Sequence, residues 1–148
     1  MAEPNLFRAS AEIEIAAAPE AVFDAWLDPS LAARFFATGE TTVREISLDP
    51  REGGAFRIVM RGESDDFEHE GRYVVIDRPR RLVLTWISSG TDHRLSLVEI
   101  TFTPTPLGVR VRIDHEGIPD TERAGRHQRG WQTILDKLAH LFAEGARR

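Results

Sequence analysis

The sequence predicts an α+β fold, with one long C-terminal helix across a curved antiparallel sheet of about six or seven strands. Three observations carry this. From Thr41 to His115, short runs of alternating apolar and polar residues are separated by turns, and no helix-length segment interrupts them. Trp131, Ile134, Leu135, Leu138, Leu141 and Phe142 follow the spacing of a helix packed on one side. Between the first strand and the remaining strands, two proline-led segments read as short helices.

The elements follow in order. Ala9, Ala11, Ile13 and Ile15 alternate with Arg8, Ser10, Glu12 and Glu14, which reads as a strand with one wet face. Pro19 suits a first helical position, since its missing N–H is unneeded there, and Val22, Phe23, Trp26 and Leu27 form the buried face. Asp28 before Pro29 is a carboxylate cap for a second helix bearing Leu31, Phe35 and Phe36, with Gly39 as its stop.

Val43, Ile46 and Leu48 lead into the turn Asp49 to Gly54. Phe56, Ile58 and Met60 alternate with Arg57, Val59 and Arg61. After a turn at Gly62 to Asp66, a strand runs from Phe67 to Ile76. Further strands cover Leu82 to Ile87, Leu95 to Phe102, and Val109 through Ile113. Turns at Asp77-Arg78-Pro79, Ser88 to Asp92 and Pro104 to Gly108 separate them. Ile118-Pro119-Asp120 opens the last helix, where Gly130 permits either close approach to the sheet or a bend.

Composition narrows the function. The 148 residues fit one domain, and 41% hydrophobic residues supply a core. The formal net charge is −5, and the basic residues are scattered apart from Arg78, Arg80, Arg81 and Arg147–Arg148, which argues against nucleic acid. No cysteine is present, so disulfides, thiol nucleophiles and cysteine-based zinc sites are excluded. No apolar run approaches the ~20 residues of a membrane helix. Residues Met1 to Ser10 lack a secretion signal, so a cytoplasmic location is the default.

One helix does not seal a wide curved sheet, so an apolar cavity is expected between them. The candidate ligand-binding residues are Trp26, Phe36, Phe56, Ile58, Tyr73, Trp86, Val111, His115, Trp131 and Leu135. His115 shares the inward row of Val109, Val111 and Ile113. It reads either as a polar group facing the cavity or, more simply, as a hydrogen-bonded histidine at a strand end. His69, Gly71 and Tyr73 share one face of their strand. If that row faces inward, His69 and Tyr73 are polar handles; if outward, Val74 and Ile76 pack the core. No histidine pair has metal-ligand spacing, and no nucleophile elbow or phosphate loop occurs, so neither metal, cofactor nor catalytic residue is assigned.

Four stretches, in this order and spacing, resemble the START-like (SRPBCC) superfamily, and within it proteins similar to the activator of the heat-shock protein 90 ATPase. They are Pro19 to Pro29, Glu52 to Phe56, Gly71-Arg72-Tyr73 through Arg80 to Trp86, and Gly130 to Leu138. The resemblance spans about Ser10 to Phe142. It implies the helix-grip fold and binding of a small hydrophobic ligand between sheet and helix. The alternative it implies is a cyclase or hydrolase acting on an apolar or aromatic substrate there, for which His115 or Tyr73 would be the acid–base group. A chaperone-interacting domain is the weakest implication, because the chaperone activator engages its partner through a second, N-terminal domain for which this chain has no room. A homodimer is left open.

Overall fold

The computed structural model describes residues 6–37 and 41–146. The expected helix stop at Gly39 and the Arg147–Arg148 tail lie outside the described residues. The elements are β1 (Phe7–Ile15), α1 (Pro19–Ala25), α2 (Pro29–Phe35), β2 (Thr42–Leu48), β3 (Ala55–Arg61), β4 (Asp66–Asp77), β5 (Arg81–Ser88), β6 (Ser96–Pro104), β7 (Val109–Ile118) and α3 (Thr121–Ala146). A single 3-10 turn, Ser89–Thr91, joins β5 to β6. The sheet is open, curved and antiparallel, in the order β1-β7-β6-β5-β4-β3-β2. Strands β2 to β7 form a meander, and β1 pairs with the free edge of β7. Helices α1 and α2 carry the chain from one edge of the sheet to the other.

The helix starts have local causes. Asp28 Oδ1 accepts the Ser30 N–H at 2.9 Å, as expected of a cap before Pro29. Asp120 does the same for α3, accepting the Arg123 N–H at 2.8 Å. Helix α3 runs through Gly130 without a break.

The inner rows of the sheet meet in register. Ile113 lies between Ala11 and Ile100, and Val98 between Leu84 and His115. Ile134, Leu135 and Leu138 of α3 are buried on this surface. Each fully buried aliphatic side chain contributes about 1.5–3 kcal/mol.

The outer face carries ion pairs instead. Arg57 bonds Glu45 and Glu68, and Arg112 bonds Glu12 and Asp114. Arg78, Arg80 and Arg81 are paired with Asp24, Asp77 and Glu99. That short basic run is therefore neutralised where it stands.

Strand β4 follows the first alternative read from its sequence, with Tyr73 buried, and corrects the second at Val74, since only Ile76 of that row reaches the core. Its register with β5 shifts between Tyr73 and Val75. Before the shift, His69 and Tyr73 face inward. Val74 is 47% exposed, and beyond it Ile76 packs against the core. An extra residue in one strand breaks the period-two rule, so both rows bury part of their length.

Candidate functional site

The backbone of α3 runs closest to β1 and β7. The small residues Ala9 and Ala11 permit this approach, and both are buried. Over β3 to β5 the inner row is bulky, with Met60, His69 and Trp86, and the helix stands away from it. There a cleft of about 250 Å³ remains. Its apolar walls are Met60, Phe67, Trp86, Trp131 and Ile134; Ser89, Gly90, Arg126 and His127 are among its polar or small lining residues. Hollows of about 220 Å³ near Leu31 and Phe142, and of about 290 Å³ near Arg72 and Leu95, are lined by neither histidine nor tryptophan.

Behind the cleft runs a buried polar chain. The Trp131 indole N–H donates to His115 Nδ1 at 3.0 Å. A nitrogen that accepts carries no proton, so neutral His115 holds its proton on Nε2 and donates to Ser96 Oγ at 2.7 Å. The Ser96 hydroxyl then donates to the Trp86 carbonyl at 2.6 Å. His115 has no exposed surface, and burial pushes its pKa down to about 3. Both ring nitrogens are engaged, which leaves no lone pair for a ligand or substrate.

The other two histidines near the cleft differ. His127 Nδ1–H donates to the Arg123 carbonyl one turn back, at 2.7 Å, so its Nε2 is an acceptor. Burial lowers its pKa, keeping the ring neutral near pH 7. The ring lies over Gly90, where a Cβ would come within 2.9 Å of Cε1. Gly90 is held by the Ser88 hydroxyl, which accepts its N–H at 3.1 Å. His69 is neutral too, its pKa lowered to about 4 by burial against the opposing pull of the Ile58 and Phe67 backbone, and its buried Nδ1 makes no well-formed hydrogen bond among the described residues. The Trp86 indole N–H is likewise buried and has no partner among the described residues.

Of the residues expected to bind a ligand, the structure brings Trp86 and Trp131 to the cleft wall. Their ring centres are 5.1 Å apart. Phe36 stacks on Trp86 from behind, and Trp26 sits against Phe35 and Phe36. Phe56, Ile58, Tyr73, Val111 and Leu135 are buried in the continuous core beside the cleft. Burial raises the Tyr73 phenol above its ordinary pKa, and its ring packs on Phe56. The sequence reading missed Arg126, His127, Gly90 and Ile134. His127 stands four residues before Trp131, a same-face spacing that marks it in retrospect.

Among the described residues, no three metal-ligating side chains gather. No described helix is long and apolar enough to cross a membrane.

Comparison with known proteins agrees with this architecture. The family described as Activator of Hsp90 ATPase homolog 1-like protein matches residues 16–143. The chain belongs to this family. Among solved structures, the AHSA1 protein from Silicibacter pomeroyi is similar, with 30% identity, a TM-score of 0.81, and coverage of 94% of this chain and 99% of that one. A Chromobacterium violaceum protein has 26% identity and a TM-score of 0.83, covering 90% of this chain and 95% of its own. The AHSA1-like protein from Aeromonas hydrophila has 25% identity and a TM-score of 0.79, with 96% of each chain covered. None of the curated proteins matches this chain.

Proposed function

We propose that this family member binds a small apolar molecule, about one or two rings in size, in the cleft walled by Trp86 and Trp131. The observation that carries this is the wall that the two tryptophans form together, their tilted rings in contact with centres 5.1 Å apart, beside a cleft of about 250 Å³. A dry apolar cavity of ~150 Å³ already accepts benzene, whereas drug-sized ligands occupy ~300–1,000 Å³. The volume therefore favours a compact ring over a sterol or a long acyl chain. A ligand burying about 200 Å² gains roughly 5 kcal/mol at ~25 cal/mol per Å². Association entropy offsets several kcal/mol, so an affinity in the high micromolar range is expected.

The test is a melting screen with fatty acids, sterols and flat aromatic compounds, followed by tryptophan emission. Compact aromatics should raise the melting temperature in proportion to ligand excess. Trp131→Ala should abolish the shift. A broad screen without any shift would return the chain to a protein-interaction role.

One observation favours a second reading, an enzyme of the hydrolase or cyclase kind. His127 is oriented by a backbone carbonyl and keeps Nε2 available, the arrangement of a general base. Its test is turnover of ring-sized esters that His127→Gln abolishes while ligand-induced stabilisation persists.

A further inference from the structure

We propose that the ligand of the cleft is an uncharged ring compound carrying a hydroxyl, and that this hydroxyl binds between Trp86 and His69. The inference rests on the binding reading above and names the ligand class.

The indole N–H of Trp86 and Nδ1 of His69 are both buried, and neither makes a well-formed hydrogen bond among the described residues, although the His69 ring also interacts with the backbone of Ile58 and Phe67. Buried tryptophan N–H groups usually find one, and an unmade bond at such a group carries its full desolvation cost. Trp131 shows the usual solution, since His115 accepts its N–H. Trp26 also has a bare N–H, but it does not line the cleft. At Trp86 and His69, an unserved N–H and a ring nitrogen without a well-formed bond belong to neighbouring cleft residues whose ring centres are 5.0 Å apart.

The chemistry of the two atoms selects the ligand group. An indole N–H only donates, so the ligand must accept there. Neutral His69 accepts or donates at Nδ1 according to its tautomer. A hydroxyl accepts from Trp86 and answers His69 in either form. An ammonium fails at Trp86, and an ether or ketone serves only one tautomer. A carboxylate would be desolvated beside two neutral imidazoles. The lining cation Arg126 is exposed and already paired with Glu122 at 2.8 Å.

The experiment compares toluene, p-cresol and p-toluate on the full chain by titration, with the indole N–H resonances followed by NMR. The expected result is p-cresol binding about tenfold more tightly than toluene, the effect of serving buried unmade bonds. The Trp86 indole N–H signal should move downfield with p-cresol and stay with toluene, and p-toluate should bind weakest. Trp86→Phe should collapse the p-cresol to toluene ratio towards one. The wild-type signal shift carries the test if that variant does not fold. Equal affinities for toluene and p-cresol, with no Trp86 downfield shift, would overturn the hydroxyl assignment and leave the binding reading standing. No binding by any of the three would overturn both.

Discussion

Trp131 and His115 join helix α3 to strand β7 side chain to side chain, the indole N–H donating to Nδ1 across 3.0 Å. Both are buried, and the bond fixes the proton of His115 on the nitrogen that faces Ser96. One contact therefore docks the helix and holds a cleft wall.

Breaking that bond should cost stability. Trp131→Phe keeps a ring but leaves Nδ1 of His115 bare in the core, a loss of about 1–3 kcal/mol. His115→Gln, which can still accept from Trp131 and donate to Ser96, should cost less. Urea unfolding of the two variants checks the order.

Acid should destabilise the fold earlier than carboxylates alone would allow. In the unfolded chain, histidines take up a proton near pH 6.5; in the fold, His115 resists to about 3 and His69 to about 4. The unfolded state binds more protons between those limits, so stability falls as pH drops below about 6.5 and is complete above it. For His115 the loss between pH 7 and pH 5 is about 2 kcal/mol, at ~1.4 kcal/mol per pH unit. The partly exposed His69 should lose less. Asp24, Glu68 and Asp120 are held below their ordinary values by hydrogen bonds from Arg78, Arg57 and Arg123, so they add to the loss only at lower pH. Denaturant unfolding at both pH values, repeated on His115→Gln, should show a flatter dependence in the variant.

Helix α3 depends on its apolar stripe. Leu138 has no exposed surface, and Leu138→Asp places an unpaired carboxylate there. The expected cost is about 3–5 kcal/mol. For a chain of this size that lowers the melting temperature by roughly 10 °C. A change of two or three degrees would show that the helix does not pack as described.

Two glycines should respond in opposite directions to alanine. At Gly71 a Cβ would sit 2.0 Å from the Thr85 carbonyl oxygen and 2.8 Å from the Phe56 ring, so β4 must move. Gly71→Ala should cost about 1–3 kcal/mol. At Gly125 the nearest atom is the end of Arg129, at 3.6 Å, and the site is helical. Gly125→Ala should stabilise by about 0.5–1 kcal/mol. Thermal melts of both variants check the signs.

The element order was legible because each element has a period and a punctuation of its own. Asp28 with Pro29, and the row Leu135, Leu138 and Phe142, have one physical reading. The cleft was less legible. Large apolar residues such as Phe56, Ile58 and Val111 qualify equally as core or pocket until the helix is placed, and its placement depends on Ala9 and Ala11. The turn of α3 bearing Arg126 and His127 precedes the apolar stripe, so periodicity did not draw attention to it. The shift at Val74 was hidden because an extra residue in a strand leaves no mark of its own in a two-residue alternation.

The central claim is that the cleft lined by Trp86 and Trp131 is a binding site. A crystal of the protein soaked with an iodinated phenol tests it most directly, since anomalous scattering locates the iodine without assumption. We expect one strong peak in the cleft, with the ring against the wall that the two tryptophans form and the hydroxyl near His69. An empty cleft at full soaking concentration, or a peak only on the exposed leucines Leu95 and Leu97, would contradict it.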